Sequence, residues 1–224
     1  MKKTFLFVLL SVMAFGAMAQ RKSVSILGDS YSTYQGFLQP DTNFVWYFEP
    51  LNPELTDVNN VRQTWWHKFI SDNGYKFDTN NSFSGATISS SGYNNEDYSD
   101  RSFVTRARFL GNPDIILVCG ATNDSWANSP IGEYKYSGWT VEDLKDFRPS
   151  VAAMFNTLQE HYPNAEIYFI LNDILKPEIN ESIETVAAYY GVPVIHLHDI
   201  DKIHGHPSIK GMASIAAQVA EVVK

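Results

Sequence analysis

An α/β fold, with a parallel sheet covered by helices on both faces, is predicted by three features of this chain. Residues 114–119 form an almost unbroken apolar run, as expected of a strand buried on both sides. Similar runs alternate along the chain with segments of helical period, the pattern of strands joined by crossover helices. No internal repeat, linker or low-complexity tract interrupts that alternation, so residues 20–224 are expected to form a single domain.

The first strand is read at Val24, Ile26 and Leu27, and it runs into Gly28, Asp29 and Ser30 on a turn loosened by Gly28. Residues 31–62 contain Pro40, Pro50 and Pro53 without helical period. They are read as an ordered insertion held by Phe44, Trp46, Tyr47 and Phe48. A short helix over residues 64–71 presents Trp65, Trp66, Phe69 and Ile70 on one side, and residues 75–80 make the second strand. Residues 89–101, rich in Ser, Asn and Asp, read as loop. The third strand, 114–119, exits into Gly120 and residues 121–124, followed by a loop that carries Trp126 and Trp139.

A helix after Pro149 has Val151, Met154, Phe155, Leu158 and Tyr162 at helical spacing. Residues 166–171 are the fourth strand. A helix opened by Pro177 and stopped by Gly191 follows, then a fifth strand at 192–197. The last helix starts at Ser208, with Ile209, Met212, Ile215, Ala216, Val219 and Val223 facing inward.

Residues 1–19 have the form of a secretory signal peptide: Lys2 and Lys3, an apolar stretch over 5–15, and small residues at Ala17 and Ala19. Export to the periplasm or beyond is therefore expected, with Gln20 as the new terminus. Gln20 offers no thiol for a lipid, so no stable membrane anchor is expected. The formal net charge of −8 becomes more negative once Lys2 and Lys3 are lost, which argues against nucleic acid or an anionic membrane as the main partner. Cys119 is the single cysteine, so no intrachain disulfide can form.

In a parallel sheet the carboxyl ends of the strands share one edge, where ligands are met. Ser30 follows the first strand, Ser84 and Gly85 the second, Asn123 the third, and His206 comes after the fifth. A hydroxyl, an imidazole and amide donors around one carbonyl are what acyl transfer needs. His196, His198 and His204 begin to look like a metal cluster, but no carboxylate–cysteine set completes one, so no metal site is assigned. Trp46, Trp65, Trp66, Trp126 and Trp139 all read first as core. Trp46, Trp126 and Trp139 lie on loops where they could stack on sugar rings.

These blocks resemble the SGNH (GDSL-type) hydrolases, in order: Gly28, Asp29 and Ser30; Ser84 and Gly85; Thr122, Asn123 and Asp124; His206, Pro207 and Ser208, with Gly211. The resemblance implies a three-layer α/β/α sandwich with a flavodoxin-like five-stranded parallel sheet. It also implies Ser30 as nucleophile, His206 as base, an oxyanion hole from Ser30, Gly85 and Asn123, and no metal or organic cofactor. Two departures stand out. Ala121 occupies the position two before Asn123 where the family usually has glycine. The family's aspartate three residues before the histidine falls on Ile203 if His206 is the base, and on Asp201 only if His204 is. Pro207, the Ser208 helix cap and Gly211 favour His206. Asp201 is then the expected orienting carboxylate, with Asp199 behind it or a backbone carbonyl in its place. The expected function is an exported serine esterase that removes acetyl or other short acyl groups from a small-molecule or glycan ester. A lipase or lysophospholipase, and a catalytically silent glycan-binding module, are the alternatives.

Overall fold

The computed structural model describes residues 21–224, so the signal-peptide reading and Gln20 lie outside the described residues. Five strands, β1 (Ser23–Gly28), β2 (Lys76–Asn80), β3 (Ile115–Gly120), β4 (Glu166–Leu171) and β5 (Val194–His196), form one parallel sheet in the order β2-β1-β3-β4-β5. The chain moves outward from β1 to β2 and then crosses back to β3. That reversal opens a crevice at the carboxyl ends of β1 and β3, where doubly wound sheets bind their ligands.

Burial on both faces explains the apolar runs. Ile115, Leu117 and Cys119 of β3 point into a core shared with α1 (Trp65–Asp72) and α6 (Ile209–Val222). Ile116 and Val118 point the other way, into a core shared with α4 (Phe147–His161) and α5 (Pro177–Tyr190). Trp65, Trp66 and Phe69 of α1 are fully buried beside Met212, Ile215 and Val219 of α6. Each such side chain contributes roughly 1.5–3 kcal/mol through burial. The result is the three-layer α/β/α sandwich the resemblance implies.

Helix ends follow their local chemistry. Pro177 opens α5 in its first turn and Gly191, at φ 66°, ends it in the left-handed region. The Ser208 hydroxyl accepts the Gly211 N–H at 3.1 Å and caps α6. Ile209, expected inward, is instead 37% exposed; it opens the first turn, where Asp57 accepts its N–H at 2.8 Å. Three short elements escaped the periodicity reading: α2 (Phe103–Arg106), α3 (Thr122–Ala127) and a hairpin of β6 (Lys202–Ile203) with β7 (His206–Pro207). None is long enough to show a repeat. Among the described residues no helix is long and apolar enough to cross a membrane.

The 31–62 segment is ordered, and of its four expected anchors Tyr47 is buried and Trp46 half-buried, but the other two are not. Tyr31, Tyr34, Tyr47 and Val58 are buried, whereas Phe44 and Phe48 face solvent. Backbone bonds tie it to the sheet edge: Gln39 N–H to the Asn80 carbonyl and Ser84 N–H to the Phe44 carbonyl, both at 2.9 Å.

Gly211 marks the tightest approach between α6 and the hairpin. A Cβ there would stand 2.1 Å from the Asp201 carbonyl oxygen, which already accepts the Ser208 N–H at 3.0 Å. Gly211→Ala is therefore expected to cost about 1–3 kcal/mol of overpacking, seen as a fall in Tm of about 2–4 °C per kcal/mol. An unchanged Tm would show that the hairpin yields freely.

Candidate active site

β1 delivers Ser30 to the crevice. Gly28 is needed there for space rather than for turn freedom: a Cβ would meet Ser32 and Ser82 at 2.6 Å. Residues 30–32 then make one tight helical turn, and Asp29 caps it by accepting the Tyr31 N–H at 3.0 Å. The Ser30 hydroxyl lies 2.9 Å from Nε2 of His206, at the start of β7. Nδ1 of the same ring is 3.0 Å from the carbonyl oxygen of His204. A carbonyl can only accept, so Nδ1 carries the proton and donates to it. Nε2 is left with a lone pair toward Ser30, whose hydroxyl donates. This is the tautomer a general base requires. The His204 side chain is exposed and its backbone is left-handed, at φ 47°. Of the two histidines, His206 is the one at Ser30.

Asp201 does not orient the imidazole. It is exposed, and its carboxylate accepts the Ser208 hydroxyl at the head of α6. Asp199 lies beside the His198 ring at 3.1 Å. The acceptor on Nδ1 is main chain, and the hairpin that carries it is clamped from several sides. The Tyr31 hydroxyl donates to the Gly205 carbonyl at 2.5 Å and the Tyr47 hydroxyl to the Pro207 carbonyl at 3.0 Å, one on each side of His206. The Lys202 ammonium pairs with Asp173 and donates to Asn172 Oδ1 at 3.3 Å. Asn172, just past β4, passes its amide protons to the Tyr31 and Thr122 hydroxyl oxygens at 3.3 and 3.2 Å.

Aromatic rings enclose the imidazole. Trp46 lies flat on it, with centroids 3.5 Å apart and planes 6° from parallel. Tyr31 and the edge of Trp126 lie at 5.5 and 6.2 Å. Burial pushes the His206 pKa down to about 4; the His204 carbonyl works against that, and the charges of His204 and Lys202 add to it. Trp139 packs against the core of α4 and α5, in keeping with its first reading as core, and does not stack at this edge.

Amide donors are held nearby. Asn123, in α3, donates one Nδ2 hydrogen to the Ala86 carbonyl at 3.0 Å and accepts the Tyr93 hydroxyl at Oδ1 at 2.8 Å. That pair of bonds fixes which way the amide faces and leaves its second hydrogen uncommitted. The bond to Ala86 also places Asn123 beside Gly85, whose φ of 84° suits glycine and whose surroundings are open. The Phe83 N–H to the Gly28 carbonyl, at 3.1 Å, joins this loop to the Ser30 turn. Among the described residues neither the Ser30 nor the Gly85 N–H is used by a protein acceptor.

Two carboxylates are buried beneath these loops. Asp124 accepts Ile88 N–H, Ser89 N–H and the Ser89 hydroxyl at 2.7–3.1 Å, which pins α3 to the Gly85 loop; burial nevertheless raises its pKa to about 6. Asp29 leaves Oδ2 without a partner among the described residues. Burial raises its pKa to about 7, opposed by the Tyr31 N–H and the buried Arg106. Both support loops rather than the imidazole. Among the described residues, no metal-ligating group of three or more His, Cys, Asp or Glu forms. His196 pairs with Glu184 at the surface.

Tyr31, Tyr47, Tyr93, Asn172 and the His204 carbonyl were not singled out as site residues by the sequence reading. Tyr31 adjoins the serine and was the one within reach of a local signal.

A serine hydroxyl bonded to a buried imidazole, with amides around it at the carboxyl edge of a parallel sheet, defines the class of an α/β/α hydrolase. The GDSL-like lipase/acylhydrolase family model matches residues 22–223, and the chain belongs to that family. A Bacteroides ovatus protein described as a GDSL-like lipase is 58% identical over 90% of this chain and 97% of its own, with a TM-score of 0.87. One from Bacteroides uniformis, described in the same way, is 51% identical over 91% and 95%, with a TM-score of 0.88. At 17% identity, an acetyl xylan esterase from Butyrivibrio proteoclasticus shares the fold over 89% of this chain and 62% of its own, with a TM-score of 0.59. No curated protein matches.

Because the Asp201 carboxylate serves the α6 cap, Asp201→Ala is expected to lower stability by about 1 kcal/mol and to leave ester hydrolysis within a few-fold of the parent rate. Thermal melting and a chromogenic acetate assay check both halves. A near-complete loss of rate at unchanged Tm would return Asp201 to the imidazole.

Proposed function

We propose that the protein is an exported serine esterase that cleaves short acyl esters, acetyl foremost, from carbohydrate. The observation that carries the reaction is the 2.9 Å bond between Ser30 Oγ and a buried, correctly tautomeric His206. Ser30 attacks the ester carbonyl while His206 takes its proton, and charge develops on the carbonyl oxygen toward Ser30 N–H, Gly85 N–H and Asn123 Nδ2. His206 then returns the proton to the departing alcohol. Water repeats the sequence on the acyl-enzyme.

Short acyl groups are supported by how little of the pair is open: Ser30 is 4% exposed and His206 6%. Sugar is supported by two exposed aromatic faces: Trp126, 44% exposed with its ring 6.2 Å from the imidazole, and Phe44, 67% exposed and bonded through its carbonyl to the Ser84 N–H beside Gly85. The same fold serves an acetyl xylan esterase elsewhere. The lipase reading is kept alive by the description of the two Bacteroides relatives. Export rests on the leader-like N-terminus, and fractionation of the native host tests it.

Purified protein should hydrolyse acetylated xylan or a chromogenic acetate faster than long-chain esters; the reverse order would favour a lipase. Ser30→Ala and His206→Ala should each lower kcat by about 10³-fold or more, whereas His204→Ala should keep most activity, since only its carbonyl is used. An organophosphonate should label Ser30, and glycan binding without labelling or turnover would leave a binding module instead. The base must be neutral, so kcat/KM should fall only as pH drops through about 4, the lowered pKa of His206. An acid limb near the ordinary 6.5 would show that the site supports the imidazolium as well as water does.

A further inference from the structure

Proton transfer from Ser30 turns the His206 ring into a cation, yet no carboxylate meets that ring among the described residues. The groups facing it are Lys202 and His204 from its own hairpin and Tyr31 from the β1 turn, and none of them is an anion at neutral pH. The His204 carbonyl fixes the tautomer through a dipole but supplies no full negative charge.

What covers the ring is the indole of Trp46, 3.5 Å away between centroids and tilted by only 6°. Two neutral aromatic rings favour offset or edge-on arrangements, usually with centroids 4.5–7 Å apart. A flat, nearly centred stack is the poorer geometry for a neutral pair. For a cation over the electron-rich indole face it is the favourable one. The backbone that carries Trp46 is tied to both ends of the Ser30–His206 pair. The Trp46 backbone N–H donates to Thr33 Oγ1 at 2.8 Å, and that hydroxyl donates to the Ser30 carbonyl at 3.0 Å. The next residue, Tyr47, is clamped to the Pro207 carbonyl.

We propose that Trp46 is a positioning residue whose indole face stabilises the His206 imidazolium, supplying the electrostatic support that a carboxylate would otherwise give. This rests on the Ser30–His206 esterase reading. As the bond from Ser30 Oγ to the acyl carbon forms, the hydroxyl proton passes to Nε2 and the carbonyl electron pair moves onto its oxygen. The positive charge then sits under the indole until the proton leaves with the alcohol.

The test places mono-, di- and trifluorinated tryptophan at position 46 of the full-length protein, which changes the ring's charge distribution but hardly its shape. Values of kcat should fall stepwise, about tenfold across the series, with KM nearly constant. The His206 pKa, followed by NMR, should fall in the same order. Trp46→Phe should retain more activity than Trp46→Leu. Flat kcat and pKa across the fluorinated series overturn the proposal, even if Trp46→Leu is inactive, because the indole would then serve only as packing. A falling pKa in a protein that hydrolyses no ester and takes no phosphonate would uphold the stack and remove the esterase. An active enzyme with a flat series would do the opposite.

Discussion

The hydrogen bond from Ser30 to His206 joins residues 176 positions apart, and much of the buried polar structure exists to hold its two ends in place. The serine end is rigid because β1 lies between β2 and β3 and its turn is capped by Asp29. The histidine end starts from a weaker position, a two-stranded hairpin of two residues per strand. Alone, such a hairpin would be marginal in water. It becomes part of the rigid body because Tyr31 and Tyr47 bind the carbonyls that flank His206, and because Lys202 reaches Asp173 at the end of β4.

Replacing a carboxylate by a main-chain carbonyl moves the burden of precision. An aspartate side chain can adjust its own rotamer to meet the imidazole. The His204 carbonyl can go only where its backbone goes, through a left-handed residue at φ 47°, a conformation non-glycine residues seldom adopt. The tyrosine clamps and the close contact at Gly211 are consequences of that choice, since any slack in residues 201–207 would reach the Ser30–His206 bond directly.

Legibility in the sequence divides along similar lines. The strands could be read because burial on both faces leaves an apolar run, as at Ile115 to Val118, and the long helices because α4 and α6 repeat every turn. Ser30, Gly85, Asn123 and His206 could be read as chemical types at successive strand ends, and Pro207 with Ser208 separated His206 from His204 through backbone preference. A backbone carbonyl was among the acceptors expected for Nδ1, but that it is the one of His204 could not be read, because every residue owns a carbonyl. Asp201 had the right chemistry and the wrong neighbour: Ser208, needed to cap α6, takes its carboxylate. α3 was hidden for another reason. Its six residues, four polar ones followed by Trp126 and Ala127, lie between left-handed Ala121 and Asn128, and what holds them is the Asp124 carboxylate on the 88–89 backbone, a contact that local pattern cannot show.

The insertion at 31–62 shows how a stretch without periodicity can still be a structural part of the site. Its first residues continue the Ser30 turn, its middle puts Trp46 on the imidazole and Tyr47 under Pro207, and Asp57 meets the head of α6. The segment therefore touches Ser30, His206 and the helix that follows His206, and forms a wall of the site. A wall built this way restricts the space beside the imidazole, because Trp46 covers one face of the ring and its backbone is held by Thr33 next to the fully buried Tyr47. Bulk brought up to the imidazole would meet that aromatic face, whereas Phe44 and Trp126 keep exposed faces.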